Sequence, residues 1–237
     1  VYHNKLGTQG ERVERVRAIA KAIATQLGDA QLVQQADLAA QLAKTDLVTD
    51  MVGEFPELQG IMGGYYARHD GLSEDIAFAI EDHYKPRFAG DELPRTQTGV
   101  VVALADKLET LVGMFGIGNV PTGDKDPFAL RRHALGVARI IADQDLPLEL
   151  GELVKVAHAT FADKGVKPLF DIQGHVELLC QERLARMLES EGFEAAEVHS
   201  VLAVRGKSSQ FSALRERLAA VRAFAALPEA AALAAAN

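Results

Sequence analysis

Gly118 and Gly123 are separated by four residues and followed by Asp124-Lys125, a spacing close to that of a phosphate-binding loop. In such a loop backbone amides cradle the phosphates, a lysine follows the second glycine, and a Ser/Thr hydroxyl holds magnesium. Here Asp124 and Lys125 fill those two positions, and a carboxylate beside phosphates repels them. The strand that should precede the loop is also missing, because residues 104–115 read as helix. The stretch "PTGDKDPFALRRHALGV" (121–137) therefore reads as a Gly/Pro turn into a helix that starts at Pro127, with Asp126 as its N-cap.

Other groups able to do chemistry are scattered. Asp46 in "AKTDLVTD" and Asp106 in "ALADKLETL" are acids among apolar neighbours, although an isolated Asp is usually exposed. None of the seven histidines forms an H-E-x-x-H pair. "RHD" (68–70) and "EDHY" (81–84) fall at expected helix ends, where a cation suits the helix dipole, so both read as structural. Ser190, Ser200, Ser208, Ser209 and Ser212 lie near turns or caps and suggest no nucleophile. Cys180, the single cysteine, reads as a small core residue and permits no internal disulfide.

Basic residues do cluster: Lys85, Arg87 and Arg95 in one loop, and Lys125, Arg131, Arg132 and Arg139 around the turn and helix above. Tyr65, Tyr66, Tyr84 and Phe88 lie near the first group in sequence. Cations interleaved with aromatics can hold RNA phosphates and stack on unpaired bases. Composition alone favours the plainer reading, a solvated face paired to local acids.

The elements that must carry these residues are helices. Apolar residues recur at helical spacing over 11–27, 31–52, 98–114 and from 127 onward, with further helices expected over 57–66, 73–84, 148–163, 172–190, 194–204 and 210–224. Nothing reads as a sheet. In 237 residues, 48% hydrophobic and with a formal charge of -8, a packed core is expected and a wholly nucleic-acid-gripping surface is not. No apolar run nears a membrane span and no signal peptide is visible, so a cytoplasmic protein without membrane contact is expected. The start "VYHNKLG" lacks Met and "AALAAAN" stops in mid-helix, which suggests a piece of a longer chain.

"KLGTQGERVERV", "LAKTDLVTDMVGEFPELQGIMGGYYA", "EDHYKPRFAGDELP" and "ALADKLETLVGMFGIGNVPTGDKDPFALRRHALGV" together resemble the bacterial glycyl-tRNA synthetase beta subunit family. "QERLARMLESEGFEAAEVHSVLAVR" resembles the opening of that family's helical anticodon-binding domain, of the type shared with arginyl-tRNA synthetase. The resemblance implies an all-α fold: an HD-like helical domain over 1–145, a linker helix over 146–171, and part of an anticodon-binding domain over 172–237.

HD-superfamily phosphohydrolases hold a metal with a His, a His-Asp pair and a later Asp. By resemblance Asp46 matches the Asp of the pair and Asp106 the later Asp. Thr45 stands at the paired His, and Gln9 lies near the first. Neither replaces an imidazole well at a transition-metal site, so neither a metal nor a catalytic residue is expected here.

The implied function is the tRNA-binding and assembly part of a glycine–tRNA ligase. The partners would be glycine tRNA and an alpha subunit, in a tetramer of two alpha and two beta subunits. DNA is not expected as a partner, and ATP would be used at the alpha subunit. The candidate RNA contacts are Lys85, Arg87, Arg95, Lys125, Arg131 and Arg132, with Arg131 and Arg132 alternatively bracing the fold against Asp124 or Asp126. A metal-dependent HD phosphohydrolase and a purely protein-binding helical piece are the competing readings.

Overall fold

A computed structural model describes residues 2–204, 211, 213–227, 229 and 230. Among them are eleven α-helices: α1 (Gln9–Gln26), α2 (Ala30–Leu42), α3 (Asp50–Glu54), α4 (Ile61–His69), α5 (Glu74–Asp82), α6 (Gln97–Gly116), α7 (Leu130–Asp143), α8 (Leu150–Ala159), α9 (Leu169–Ser190), α10 (Ala195–Ala203) and α11 (Leu214–Ala225). The described residues contain no strand, only the isolated bridges His3–Gly7 and Thr122–Lys125, so the fold is all-α as expected. Ser208, Ser209, Ser212, most of the expected loop "VRGKSS" and most of the alanine-rich "LPEAAALAAAN" lie outside the described residues.

α6 is the axis. Thr96 caps it by accepting from the Gly99 amide, and every residue from Thr98 to Gly116 is buried. A helix that is apolar all round must be surrounded, and α1, α2, α5, α7, α8 and α9 all pack on it. The sequence suggests only one apolar stripe here. The other faces of α6 are also covered, because α5, α7, α8 and α9 pack on it as well as α1 and α2. One continuous core runs from Leu6 to Leu218, with α9 contributing Ile172, Val176, Cys180, Leu184 and Leu188 at four-residue spacing.

Several expected boundaries move for local reasons. The single helix read over 31–52 is cut in three, because the Thr45 hydroxyl donates to the Leu42 carbonyl and a 3-10 turn (Thr45–Val48) follows. Thr49 then caps α3. Side-chain hydroxyls offer the backbone such alternatives to a continuous helix. The helix read from 57 begins instead as a 3-10 turn at Pro56, is broken by Gly60 (φ 82°), and resumes as α4. α7 starts at Leu130 rather than Pro127, because Ala129 is left-handed (φ 54°). Asp126 still caps it, accepting from the Leu130 and Arg131 amides at 2.8 and 3.0 Å.

α6 and the segment after α8 approach closely at Gly113. A Cβ there would lie 2.9 Å from Phe161 Cζ and 3.1 Å from Leu6 Cδ1, both buried side chains. Gly113→Val is expected to lower unfolding free energy by about 1–3 kcal/mol, measured as a lower urea midpoint. Combining it with Phe161→Leu should cost less than the sum of the two single losses. Strict additivity would show that the approach is not tight.

Candidate functional site

The sequence "ADKLET" puts four polar residues on α6, a helix with no exposed face, so each must be neutralised inside the protein. Arg12 of α1 donates through Nε to Glu109 at 2.8 Å, and its Nη2 meets Asp106 Oδ1 at 2.9 Å and Thr110 Oγ1 at 2.9 Å. Arg15 pairs with Glu109 at 2.8 Å and stacks on the Phe161 ring. Lys44, just past α2, reaches Asp106 at 3.4 Å and lies over the Tyr84 ring. His83 donates its Nδ1–H to the Ile80 carbonyl, leaving Nε2 buried and unpartnered. Gln9, Arg12, Lys44, His83 and Asp106 surround a cavity of about 10 Å³, room for about one water at most.

The charges follow from these contacts. Burial opposes ionisation of Asp106, but Arg12 and Lys44 overcome it and hold the carboxyl well below the usual carboxylate range. Burial likewise opposes the Arg12 charge, and Asp106 and Glu109 outweigh it. Burial lowers Lys44 to about 8 against the pull of Asp106. His83 is driven well below its ordinary value by burial and then by Lys44, and stays neutral.

Two of the four HD-like positions, Gln9 and Asp106, thus share one cavity, and the other two do not. Thr45 is exposed and bound to its own chain. Asp46 is buried, contrary to the expectation for an isolated Asp, as is Asp106. Its Oδ2 accepts from the Gly60 and Gly63 amides at 2.6 and 3.1 Å. It therefore caps α4, whose own N-cap residue, Gly60, has no side chain to do so. Asp106 is taken by two cations, and Asp46 gives Oδ2 to backbone amides while its Oδ1 is buried without a hydrogen-bond partner; among the described residues no three His, Cys, Asp or Glu side chains group as metal ligands. The guanidinium and ammonium supply the positive charge beside Asp106.

The six candidate RNA-binding cations separate just as clearly. Arg95 is committed to Asp82 through Nε at 2.8 Å and also meets Glu81 at 2.9 Å. Lys85 bridges Asp82 and Glu92, both at 3.2 Å. Both are therefore structural, and Asp82, the last residue of α5, is a buried anchor at that helix end. Arg131 donates to the Gly123 carbonyl and braces the turn, though not through Asp124 or an Asp126 ion pair. Arg139 donates to the Ala89 and Asp91 carbonyls at 2.8 and 2.9 Å, fixing the loop before α6 to α7. Lys125 is exposed on the turn, where its backbone pairs with Thr122.

Arg87 and Arg132 are exposed, and among the described residues their side chains have no acid partner. They converge on an open cavity of about 450 Å³ whose wall also includes Tyr84, Lys107 and His133. Lys107 and His133 were not singled out from the sequence. The available signal was a lysine beside Asp106 on an otherwise apolar helix.

Residues 1–203 match the family described as "Glycyl-tRNA synthetase beta subunit". The chain is similar to the "Glycine--tRNA ligase beta subunit" of Delftia acidovorans, 67% identical over 237 residues, which cover all of this chain and 33% of that protein. It is similarly 65% identical to that of Paracidovorax citrulli and 61% to that of Thiobacillus denitrificans, again over its whole length and 33% of theirs. The chain thus spans about a third of the length of these curated relatives.

Arg12→Met removes the guanidinium that neutralises both Asp106 and Glu109, so a loss of about 3–5 kcal/mol in stability is expected, read by denaturant unfolding. The acid response follows from the same contacts. Asp106 is depressed in the folded state, so the unfolded chain binds more protons at low pH. The Asp106 contribution is whole above the ordinary carboxyl range of about 4. It fades as the pH falls below that range. In Arg12→Met that acid-dependent part should shrink. An unchanged pH slope would remove Arg12 as its cause.

Proposed function

The chain belongs to the glycyl-tRNA synthetase beta subunit family, and on that premise we propose that it is a tRNA-binding and assembly part of a glycine–tRNA ligase. It works with an alpha subunit that activates glycine with ATP, in a tetramer of two subunits of each kind. Residues 1–145 form the HD-like part, and the helices from residue 172 onward open the anticodon-binding part. The observation that supports RNA contact is the pair Arg87 and Arg132, exposed cations without acid partners on a protein of net charge -8. On such a surface an RNA grip must be local, and cations already spent on carboxylates cannot supply it.

The inward-facing charges argue against the phosphohydrolase reading. Asp106 is held by Arg12 and Lys44, Asp46 is turned to the α4 amides through Oδ2, and no group of three metal-ligating side chains forms among the described residues. No helix among the described residues is long and apolar enough to cross a membrane.

Replacing both Arg87 and Arg132 by alanine is expected to weaken glycine tRNA binding by the two-subunit enzyme about tenfold. The salt dependence should fall by about 1.5 to 2 log units per log unit of salt, with an unchanged melting temperature. Arg95→Ala should do the reverse, lowering the melting temperature while folded protein keeps its affinity. If the double variant bound tRNA as wild type does at every salt concentration, Arg87 and Arg132 would not be RNA contacts.

A further inference from the structure

Lys107 sits at an unusual point of the cavity wall. It is 2% exposed, yet no carboxylate among the described residues lies within ion-pair distance of its ammonium. Among the described residues its bonds are to the His83 and Tyr84 carbonyls, both at a long 3.3 Å. Asp106, its neighbour on α6, is already paired with Arg12 and Lys44. A buried ammonium without a direct ion pair is costly, and burial lowers Lys107 to about 8 against the pull of Asp106 and Asp91.

The path to the cavity is built for this side chain. Gly136 of α7 faces it, and a Cβ there would stand 2.6 Å from Lys107 Cε and 2.9 Å from Cδ. The absence of a side chain at 136 is what lets the lysine stem run between α6 and α7. The wall of the same cavity also holds Arg87 and Arg132, whose side chains have no acid partners among the described residues, and His133. Burial and the nearby Lys107 hold His133 at about 3, so it is neutral, and its ring makes no hydrogen bond among the described residues. Glu57 is the one acid in the wall, and it is exposed.

We propose that this cavity is a phosphate-binding site, with Lys107 as its central charge, Arg87 and Arg132 as its outer donors and His133 as a neutral N–H donor. A phosphate group supplies several acceptor oxygens and the missing negative charge together, and guanidinium groups match its geometry. At about 450 Å³ the cavity has the size of small-ligand sites, which run to roughly 300–1,000 Å³. It therefore admits a phosphate with the nucleoside attached to it. The phosphate belongs either to an RNA chain or to a free phosphate ester. Only the RNA source rests on the tRNA-binding reading above.

The test uses the full-length beta chain and its complex with the alpha subunit. Binding of inorganic phosphate and of AMP to the beta chain is followed by phosphorus NMR, in wild type and in Arg87→Ala, Arg132→Ala and Lys107→Met. The exposed arginine variants keep the test valid if Lys107→Met folds poorly. Saturable binding weakened about tenfold or more by each arginine variant, at unchanged melting temperature, is the expected result. If tRNA also displaces the phosphate and binds the variants more weakly, the source is RNA. If phosphate binding falls while tRNA affinity holds, the site serves a free phosphate ester, and the tRNA role of Arg87 and Arg132 fails alone. Equal phosphate binding by wild type and the arginine variants, or none by wild type, overturns the proposal whatever tRNA does. Binding of acidic peptides but not of phosphate would do the same, marking a protein-docking cavity.

Discussion

The contact of Asp106 with Arg12 and Lys44 is the constraint on which the interior depends. Asp106 stands on a helix with no solvent face, so its charge has to be met by groups brought from elsewhere in the chain. Arg12 brings α1 to that point and Lys44 brings the end of α2. The same Arg12 ties Glu109, and Glu109 ties Arg15, so one charged cluster fixes the register of α1 against α6. Hydrophobic burial draws the helices together without direction. These few directional contacts decide how they sit.

Counter-charge at this centre comes from side chains. A divalent ion and a guanidinium meet the same electrostatic need, and the structure meets it with Arg12 and Lys44. Asp46 has been turned to a different task, capping α4 through two amides. Packing on α6 asks only that the buried charge be balanced.

A second balance operates on the other side of Lys107. The loop between α5 and α6 carries both committed and uncommitted cations: Lys85 and Arg95 are held by Asp82, whereas Arg87 faces the cavity. Asp82 and Arg139 bond to this loop, from the end of α5 and from α7 respectively. Arg87 and Arg132 line the same cavity without carboxylate partners among the described residues. In the proposed phosphate site an entering anion would meet Arg87 and Arg132 on the same wall as Lys107.

The sequence by itself determined the all-α class, most of the helices, the small buried Cys180 and the rejection of a phosphate loop at Gly118–Gly123. Each of these follows from local periodicity, turn chemistry or the identity of a few adjacent residues. It did not determine where the helix over 31–52 would break, because the choice between helix and hydroxyl-bonded turn at Thr45 was settled by Asp46 finding α4. Nor could it sort the cations. Lys85, Arg87 and Arg95 are close in sequence and alike in type, yet Asp82 takes two and leaves one. That selection depends on which side chains α5 and α6 bring within reach. Lys107 reads as an ordinary lysine until α7, through Gly136, buries its stem without giving it an acid. Pairing across distant segments is a property of the packed chain, so only the tertiary structure decided which charges are spent inside and which remain for a ligand.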